Sequence, residues 1–244
     1  LDHGVASIAS MDENEIKNHL LVSGCWPFIK QRPYDIIANP DIKPKAIFVS
    51  AFSTAPLAAD FDFTLMGKEK ELQAAVSAVS KLTDGALNVG VGKNSKSIFE
   101  GLKDISVHTV TGIHPAGNVG TLINKLDPVN KGEVVWTISP QDLVVIGELL
   151  LTGKFNAERI VALSGSSVKN PKYYTTKIGS EVSTILYTSG LKEEHVRIID
   201  GNVLSGNKIT PKGHLGYYTN TVTVIPEGDD YEFFGWNKPI FNKL

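Results

Sequence analysis

The sequence predicts an α/β fold, with a Rossmann-like domain built on a mostly parallel sheet and a small β-grasp domain after it. Short apolar, β-rich runs alternate with segments of helical periodicity as far as Ser164, as expected for strands joined by crossover helices. Beyond that residue two strands, a short helix and further strands follow closely. The 244 residues, 42% of them hydrophobic, are enough for two cores of ordinary size.

Composition excludes several classes of function. The formal net charge of -2 gives no long-range attraction to nucleic acid. Cys25 is the only cysteine, so an internal disulfide, a cysteine-rich zinc site and a Cys-ligated iron–sulfur cluster are all excluded. No apolar run reaches the roughly 18 residues of a membrane span. The chain begins and ends abruptly, and we expect it to be a piece of a longer protein.

The first domain is predicted from periodicity, taken in chain order. Apolar residues at a spacing of three to four predict helices, and short β-branched runs predict buried strands. The predicted elements are a helix at 12–23, strands at 45–50, 87–91, 105–110 and 134–138, a helix at 67–82 and two helical turns at 95–102.

The clearest helix follows the fourth of these strands. Ser139 is a good N-cap, Pro140 suits the first helical position, and Asp142 lies three residues after the cap. Gly153 supplies the left-handed stop. A fifth strand is predicted at 159–163.

The second domain is predicted from its order of elements. A strand at 173–178, a helix at 180–190, a strand at 196–199, a Gly/Asn-rich stretch and a strand at 217–225 follow the plan of a β-grasp domain. We therefore divide the chain into an N-terminal helix and connecting loop packed on the first domain, the Rossmann-like domain, the β-grasp domain and a truncated C-terminal extension. Their ranges are 1–44, 45–156, 157–226 and 227–244.

Two glycine clusters are candidates for phosphate binding. Gly90-Val91-Gly92 lacks the third glycine and the acidic ribose partner of a dinucleotide fingerprint, so a strand-to-helix turn is the better interpretation. The cluster from His114 to Thr121 lies between a strand and a helix. Its backbone N–H groups are able to meet an anion there, but it is equally a tight structural loop.

No catalytic or metal-binding set is found. The six histidines are scattered, without the spacing of a metal site, and Cys25 is best explained as a small buried hydrophobe. Trp26 and Phe28 lie beside Lys30 and Arg32, which suits a site for a flat ring. The alternative is an aromatic plug that packs the first helix on the sheet.

Several short sequence strings, which occur in the same order from about residue 8 to 241, resemble those of the A subunit of the bacterial sodium-pumping NADH:quinone oxidoreductase. The collinearity is specific, although no single string is. The strings are Ser23-Gly24-Cys25-Trp26 with Arg32-Pro33, Ala46-Ile47-Phe48-Val49, Pro56-Leu57-Ala58-Ala59-Asp60, His114-Pro115-Ala116-Gly117 with Val119-Gly120-Thr121, Leu126-Asp127-Pro128-Val129, Val135-Trp136 with Gln141-Asp142, Val203-Leu204-Ser205-Gly206, and Glu232-Phe233-Phe234-Gly235-Trp236.

The resemblance implies a fold whose nucleotide site is lost. Distant relatives of this family bind FMN or NADH with a glycine-rich loop after the first helix and a Glu-x-Glu-Pro segment after the first sheet strand. Here the first loop carries Trp26, Phe28 and Ile29, which keep a backbone away from a flavin phosphate. The second segment reads Phe52-Ser53-Thr54-Ala55-Pro56, without a carboxylate.

The family resemblance also implies a function. The chain is expected to lie at the cytoplasmic face of the bacterial inner membrane as a peripheral subunit, soluble as a fragment, in a complex that passes electrons from NADH to ubiquinone and exports sodium. Its partners would be the other subunits, chiefly the membrane subunits. FAD, FMN, riboflavin and iron–sulfur centres would belong to those subunits, leaving this fragment without a bound cofactor or an activity of its own.

Ubiquinone is the one small molecule that the chain is expected to touch. The candidate contacts are Trp26, Phe28, Arg32, His114 and Gly117. Two alternatives stay open: a stand-alone flavin- or NAD-dependent reductase that uses the loop from Gly112 to Gly120, and a module that binds a soluble ligand through its β-grasp domain.

Overall fold

A computed structural model describes residues 2–229, which form two sheets. The first sheet has a hydrophobic core on each face, and the second sheet has one core. The first part contains α1 (Glu13–Ser23), β1 (Lys30–Arg32), β2 (Ile36–Ile37), β3 (Ile47–Ser50), α2 (Phe61–Thr64), α3 (Glu69–Val79), β4 (Leu87–Gly92), β5 (Ser106–Val110), α4 (Val119–Leu126), β6 (Val135–Thr137) and α5 (Pro140–Thr152). The second contains β7 (Glu158–Ser164), β8 (Lys172–Lys177), α6 (Ser183–Ser189), β9 (Val196–Asp200), β10 (Asn207–Ile209) and β11 (Thr221–Pro226). Most of the predicted extension at 227–244, with the string at 232–236, lies outside the described residues.

The first sheet has the strand order β2-β1-β6-β3-β4-β5. The four adjacent strands β6, β3, β4 and β5 are parallel to one another. This confirms the predicted mostly parallel α/β sheet. Strand β3 alternates between two cores: Ile47 and Val49 face the side of α3 and α5, while Phe48 faces the side of α4. Both faces of the sheet are therefore covered, which explains why its strands read as continuous apolar runs.

The chain path creates a crevice at one edge of this sheet. From β3 the chain moves outward to β4 and β5, and it then returns to β6 on the other side of β3. The direction in which the chain crosses the sheet therefore reverses between β3 and β6. In open α/β sheets this switch point, outside the carboxyl ends of the strands, is where ligands bind.

Residues 1–44 contribute more than the expected helix and loop. Strands β1 and β2 extend the first sheet, and β1 pairs antiparallel with β6 through Gln31 and Trp136. The segment Lys30-Gln31-Arg32 has no alternating apolar pattern. Its strand conformation depends on a partner that is distant in sequence.

The termini of α5 follow the predicted signals. Ser139 caps α5, Pro140 occupies its first turn, and Gly153 ends it in the left-handed conformation. Asp12 and Glu15 form a reciprocal capping box at the start of α1. The predicted turns at 95–102 form a short 3-10 helix at Ile98–Gly101. None of the helices within residues 2–229 has the length and apolarity needed to cross a bilayer.

The second sheet has the order β10-β9-β11-β7-β8. Its first and last strands in sequence, β7 and β11, are parallel and adjacent, and all other pairs are antiparallel. The domain consists of a hairpin formed by β7 and β8, then α6, then further strands that end in the central strand β11. This is the arrangement of a β-grasp domain, as predicted. Strand β10, in the Gly/Asn-rich stretch, was not predicted.

Buried polar contacts join the two domains. The Arg159 guanidinium of β7 donates to the Asp142 carboxylate of α5 at 2.5 Å, and both side chains are 2% exposed. The Gln141 amide donates to the Ile160 carbonyl at 2.9 Å and accepts from the Ile160 N–H at 3.0 Å. The end of α5 nearest the crevice is thereby fixed to the β-grasp sheet.

Candidate functional site

A cavity of about 760 Å³ lies at the switch point, between the two domains. Its volume is in the range of small-molecule sites, which occur preferentially at such crevices and domain boundaries. The first domain contributes the ends of β3 and β6, the start of α4 and the β1 segment. The second domain contributes Gly201, Asn202, Ser205, Tyr218, Asn220 and Thr221.

One wall consists of two loops in close contact. Ser50 at the end of β3 donates its hydroxyl to the Gly117 carbonyl at 2.8 Å, and the Gly117 N–H donates to the Thr54 hydroxyl at 3.0 Å. A Cβ at Gly117 would lie 2.6 Å from the Thr54 nitrogen. Glycine is thus required at this position for the approach of the two loops.

The start of α4 forms the next part of the wall. Asn118 is the N-cap residue, yet its side chain makes no capping hydrogen bond, and it is exposed. Asn118, Val119, Gly120 and Thr121 all line the cavity. The first backbone N–H groups of a helix have no partner within the helix, so they offer donors to an acceptor in the cavity.

Two cations and one carboxylate occupy the opposite wall. Asp35 accepts from the Lys30 ammonium at 2.7 Å and pairs with the Arg32 guanidinium at 3.3 Å. The Lys30 ammonium also lies over the Tyr218 ring, 4.7 Å from its centroid. The Arg32 Nε is buried without a partner among the described residues, so this wall carries an excess of positive charge and hydrogen-bond donors.

Asp142, which is 1% exposed, is also among the residues that line the cavity. Burial raises the pKa of this carboxyl, and the Arg159 guanidinium opposes the rise. Because the Arg159 guanidinium holds this carboxylate, the pair serves the junction between the domains more than proton transfer.

The predicted site residues are only partly brought together. Phe28, Arg32 and Gly117 line the cavity. Trp26 does not: it is 3% exposed, packs edge-on against Trp136, and donates its indole N–H to the Ala38 carbonyl at 2.7 Å. His114 is exposed on the loop above, where its Nδ1 lies 3.3 Å from the Thr54 hydroxyl.

Phe28 also has a packing role. Its ring is 1% exposed and stacks on Tyr217 and Phe155 at centroid distances of 4.8 and 6.2 Å. The aromatic residues that line the cavity with more exposed surface are Phe52, Phe61 and Tyr218. The sequence analysis did not identify these three residues as part of a site. For Phe52 a signal was present, because it follows β3, and ligands bind next to strands that adjoin a switch point.

The other glycine cluster has a packing role. A Cβ at Gly90 would lie 3.0 Å from the Leu122 side chain of α4, and one at Gly92 would lie 2.9 Å from the Phe52 ring. The absence of a side chain at both glycines therefore allows Leu122 and Phe52 to pack directly on the backbone of β4. Within residues 2–229 no group of three or more His, Cys, Asp or Glu side chains is placed to hold a metal ion.

Solved structures share the fold. The air-oxidized NAD+-reducing [NiFe]-hydrogenase contains a chain that superposes with a TM-score of 0.62 at 12% identity, covering 88% of this chain and 47% of that one. The H2-reduced form gives a TM-score of 0.58 at 10% identity, with 90% and 50% covered. At these identities the likeness concerns the fold alone.

Curated relatives are much closer in sequence, and each is named as the A subunit of the Na(+)-translocating NADH-quinone reductase. The Neisseria meningitidis serogroup B protein is 38% identical over 236 residues, which cover 96% of this chain and 52% of the relative. The Vibrio atlanticus protein is 37% identical over 239 residues, with 97% and 53% covered. The Actinobacillus pleuropneumoniae serotype 5b protein is 35% identical over 243 residues, with 98% and 54% covered.

The chain thus spans about half the length of the curated relatives it matches. The family profile described as "NqrA second alpha/beta domain" matches residues 11–155, and the profile "NQRA C-terminal domain" matches residues 160–210. The first match covers the whole first sheet, and the second match covers the second sheet except for β11 and the first residues of β7. On this evidence the chain belongs to the NqrA family, that of the A subunit of the Na(+)-translocating NADH-quinone reductase.

Proposed function

We propose that this chain works as part of the A subunit in a complex that passes electrons from NADH to ubiquinone and couples this transfer to sodium export. The observation that carries the proposal is the collinear family match across both domains, with relatives of that name at 35–38% identity.

Within the complex the chain acts as a docking and supporting subunit. Flavins and iron–sulfur centres reside in other subunits, and this chain performs no chemical step of its own. It lies at the cytoplasmic face of the membrane against the membrane subunits.

Chemical cross-linking of the intact complex, followed by mass spectrometry, tests this arrangement. We expect cross-links from the surface lysines of this chain to membrane subunits. Cross-links confined to the chain itself would contradict the arrangement.

The cavity between the domains contacts the quinone head. A quinone is a flat ring with two carbonyl acceptors. The start of α4, Asn118 and Arg32 supply donors for such acceptors, and Phe52, Phe61 and Tyr218 supply aromatic surface. Trp26 stays outside the proposed contact because it is buried behind this wall.

A photoreactive ubiquinone analogue on the intact complex tests the contact. Labelled peptides are expected to contain residues 28–35, 50–61 or 117–121. Arg32→Gln should reduce the labelling, whereas Lys131→Gln, at an exposed position that does not line the cavity, should leave it unchanged. Labelling found solely on other subunits would exclude quinone from this cavity.

A further inference from the structure

Two helices begin at the wall of the cavity. Four of the lining residues occupy their first positions: Val119 and Gly120 in α4, and Ser139 and Pro140 at the start of α5. The N-terminal end of a helix carries a partial positive charge, because its first backbone N–H groups have no partner within the helix. Two such ends at one cavity favour a negatively charged ligand.

The free backbone donors belong to α4. The N–H groups of Val119 and Gly120 have no acceptor among the described residues, and the Asn118 side chain leaves the helix uncapped. A Cβ at Gly120 would meet nothing within 4 Å, so the space beside this turn is open. These N–H groups are therefore available to an oxygen of a ligand in the cavity.

The charged side chains along the cavity leave a positive excess. Lys30 and Arg32 share the single carboxylate of Asp35, whose side chain is 43% exposed and therefore partly screened by water. The other lining carboxylate, Asp142, is held by Arg159, which does not itself line the cavity. Three cations thus stand against two carboxylates, before the two helix ends are counted.

Arg32 also has an unused donor. Its Nε is buried without a partner among the described residues, and a buried guanidinium N–H without an acceptor is costly. The Asp200 carboxylate does not fill this role, because it lies outside the lining and accepts from the Gly216 N–H and the Thr219 hydroxyl. We infer that the cavity selects a flat ring whose oxygen carries a negative charge, a phenolate or an enolate, over a neutral ring of the same shape.

This inference rests on the proposed quinone contact and adds to it the charge state that the cavity prefers. Neutral carbonyl oxygens accept from the same donors, but a hydrogen bond to a charged oxygen is roughly twice as strong. The ionised forms of a reduced quinone belong to the preferred class, because their charge lies on the ring oxygens. The neutral, oxidised ring is expected to bind more weakly than these forms.

Equilibrium binding of two probes to the intact subunit tests the inference. The probes are lawsone, a hydroxynaphthoquinone that is ionised at neutral pH because it is a vinylogous carboxylic acid, and its neutral methyl ether. They differ by one methyl group, so the ratio of their Kd values mainly reports charge. At neutral pH and low ionic strength, we expect lawsone to bind at least about tenfold more tightly than the ether.

Two variants should move this ratio in opposite directions, which a general loss of folding does not do. Arg32→Gln removes a positive charge and should lower the preference for lawsone by about threefold or more. Asp35→Asn removes the carboxylate that both cations share and should raise it, and asparagine accepts the φ of 54° at this position. Asp104→Asn is the matched control, because Asp104 is exposed, has a φ of 63° and does not line the cavity. It should leave the ratio unchanged.

The outcomes separate the inference from the function on which it rests. Equal affinity of the parent for both probes, or tighter binding of the ether, would overturn the inference and leave the quinone contact intact. A preference for lawsone that stays the same in Arg32→Gln and in Asp35→Asn would place the charged ligand outside this cavity and would also overturn it. Failure of both probes to bind would instead remove the proposed quinone contact, and the inference with it.

Discussion

At the scale of single residues, Cys25 shows how burial determines chemistry. Its side chain is completely buried beside Trp26 and Phe28, and this burial raises the pKa of the thiol to about 12. The thiolate is the reactive form of cysteine, so at neutral pH the group is inert for two reasons: it is protonated, and it is inaccessible.

The first prediction follows from this burial. Iodoacetamide at pH 8 should alkylate Cys25 very slowly in the native protein and rapidly in concentrated urea. Because it is the only cysteine, mass spectrometry of the whole chain gives an unambiguous count. Stoichiometric labelling of the native protein within minutes would show that the core around Cys25 opens readily.

The second prediction concerns Ser139. Its hydroxyl accepts from the Asp142 N–H at 3.4 Å and caps α5 at the edge of the cavity. Ser139→Ala should lower the free energy of unfolding by roughly 1 kcal/mol, because one helix-end donor loses its partner. Urea denaturation measures this loss. Ser139→Thr keeps the oxygen and should retain most of the stability; equal loss in both variants would attribute the effect to packing.

Residue-level signals were sufficient where the cause is local. Ser139, Pro140 and Gly153 act within one helix, so their roles could be predicted from spacing. The aromatic loop was different, because whether Trp26 faces a ligand or a core depends on Trp136 and Ala38, which no local pattern reveals. Both aromatic side chains of that loop have packing contacts, and Phe28 alone of the two also reaches the cavity.

At the scale of elements, helices α3 and α5 pack closely over one face of the first sheet. Gly147 permits this approach: a Cβ at this position would lie 1.8 Å from the Glu71 carbonyl oxygen of α3. The contact is to backbone, which a rotamer change cannot relieve. The position of α5 matters for function because its first turn borders the cavity through Ser139, Pro140 and Asp142.

The third prediction tests this packing. Gly147→Ala should destabilise the protein by about 2–3 kcal/mol, since one helix must move away from the other. Gly120→Ala is the control, because a Cβ there meets nothing within 4 Å and alanine favours the helix. It should be neutral or slightly stabilising. Urea midpoints compare the two, and an equally small effect of both substitutions would mean that α3 and α5 adjust freely.

Element prediction succeeded for buried, apolar strands and failed for short, exposed ones. The strands β3, β4 and β7 are buried and apolar, so their residues carry a clear signal. Strands β2 and β10 have two and three residues, mostly exposed, and form because a longer partner is present. Such edge strands follow from the tertiary structure and leave little trace in sequence.

At the scale of the whole molecule, the cavity arises from how distant segments meet. Its walls come from the β1 segment, the ends of β3 and β6, the start of α4, the loop after β9 and the loop before β11. These segments are spread over most of the described chain. The sequence predicted both domains, and a switch-point crevice is a general property of the first. It did not predict that the β-grasp domain closes this crevice, since that depends on contacts between Asp142, Gln141 and β7 across the domain boundary.

The last prediction concerns the buried pair that joins the domains. In Asp142→Asn the Arg159 charge would remain buried without a carboxylate, and its Nε and Nη1 already lack partners among the described residues. Removing one member of a buried ion pair costs about 3–5 kcal/mol, so the variant should unfold at much lower urea. Because the pair bridges α5 and β7, we also expect the two domains of this variant to unfold in separate transitions, seen as different midpoints for tryptophan fluorescence and far-UV circular dichroism.

The double variant Asp142→Leu/Arg159→Met separates charge from packing. It replaces both partners with apolar side chains of comparable size, and it should recover most of the lost stability, because no isolated charge remains. Glu133→Gln, which removes an exposed partner of Lys45, should change the midpoint little, since surface pairs are screened by water. If Asp142→Asn unfolds like the parent, water reaches Arg159 and the junction is looser than the 2% exposure of both side chains implies. If the double variant stays as unstable as the single one, the geometry of the salt bridge itself, and not the avoidance of a buried charge, holds the β-grasp domain over the cavity.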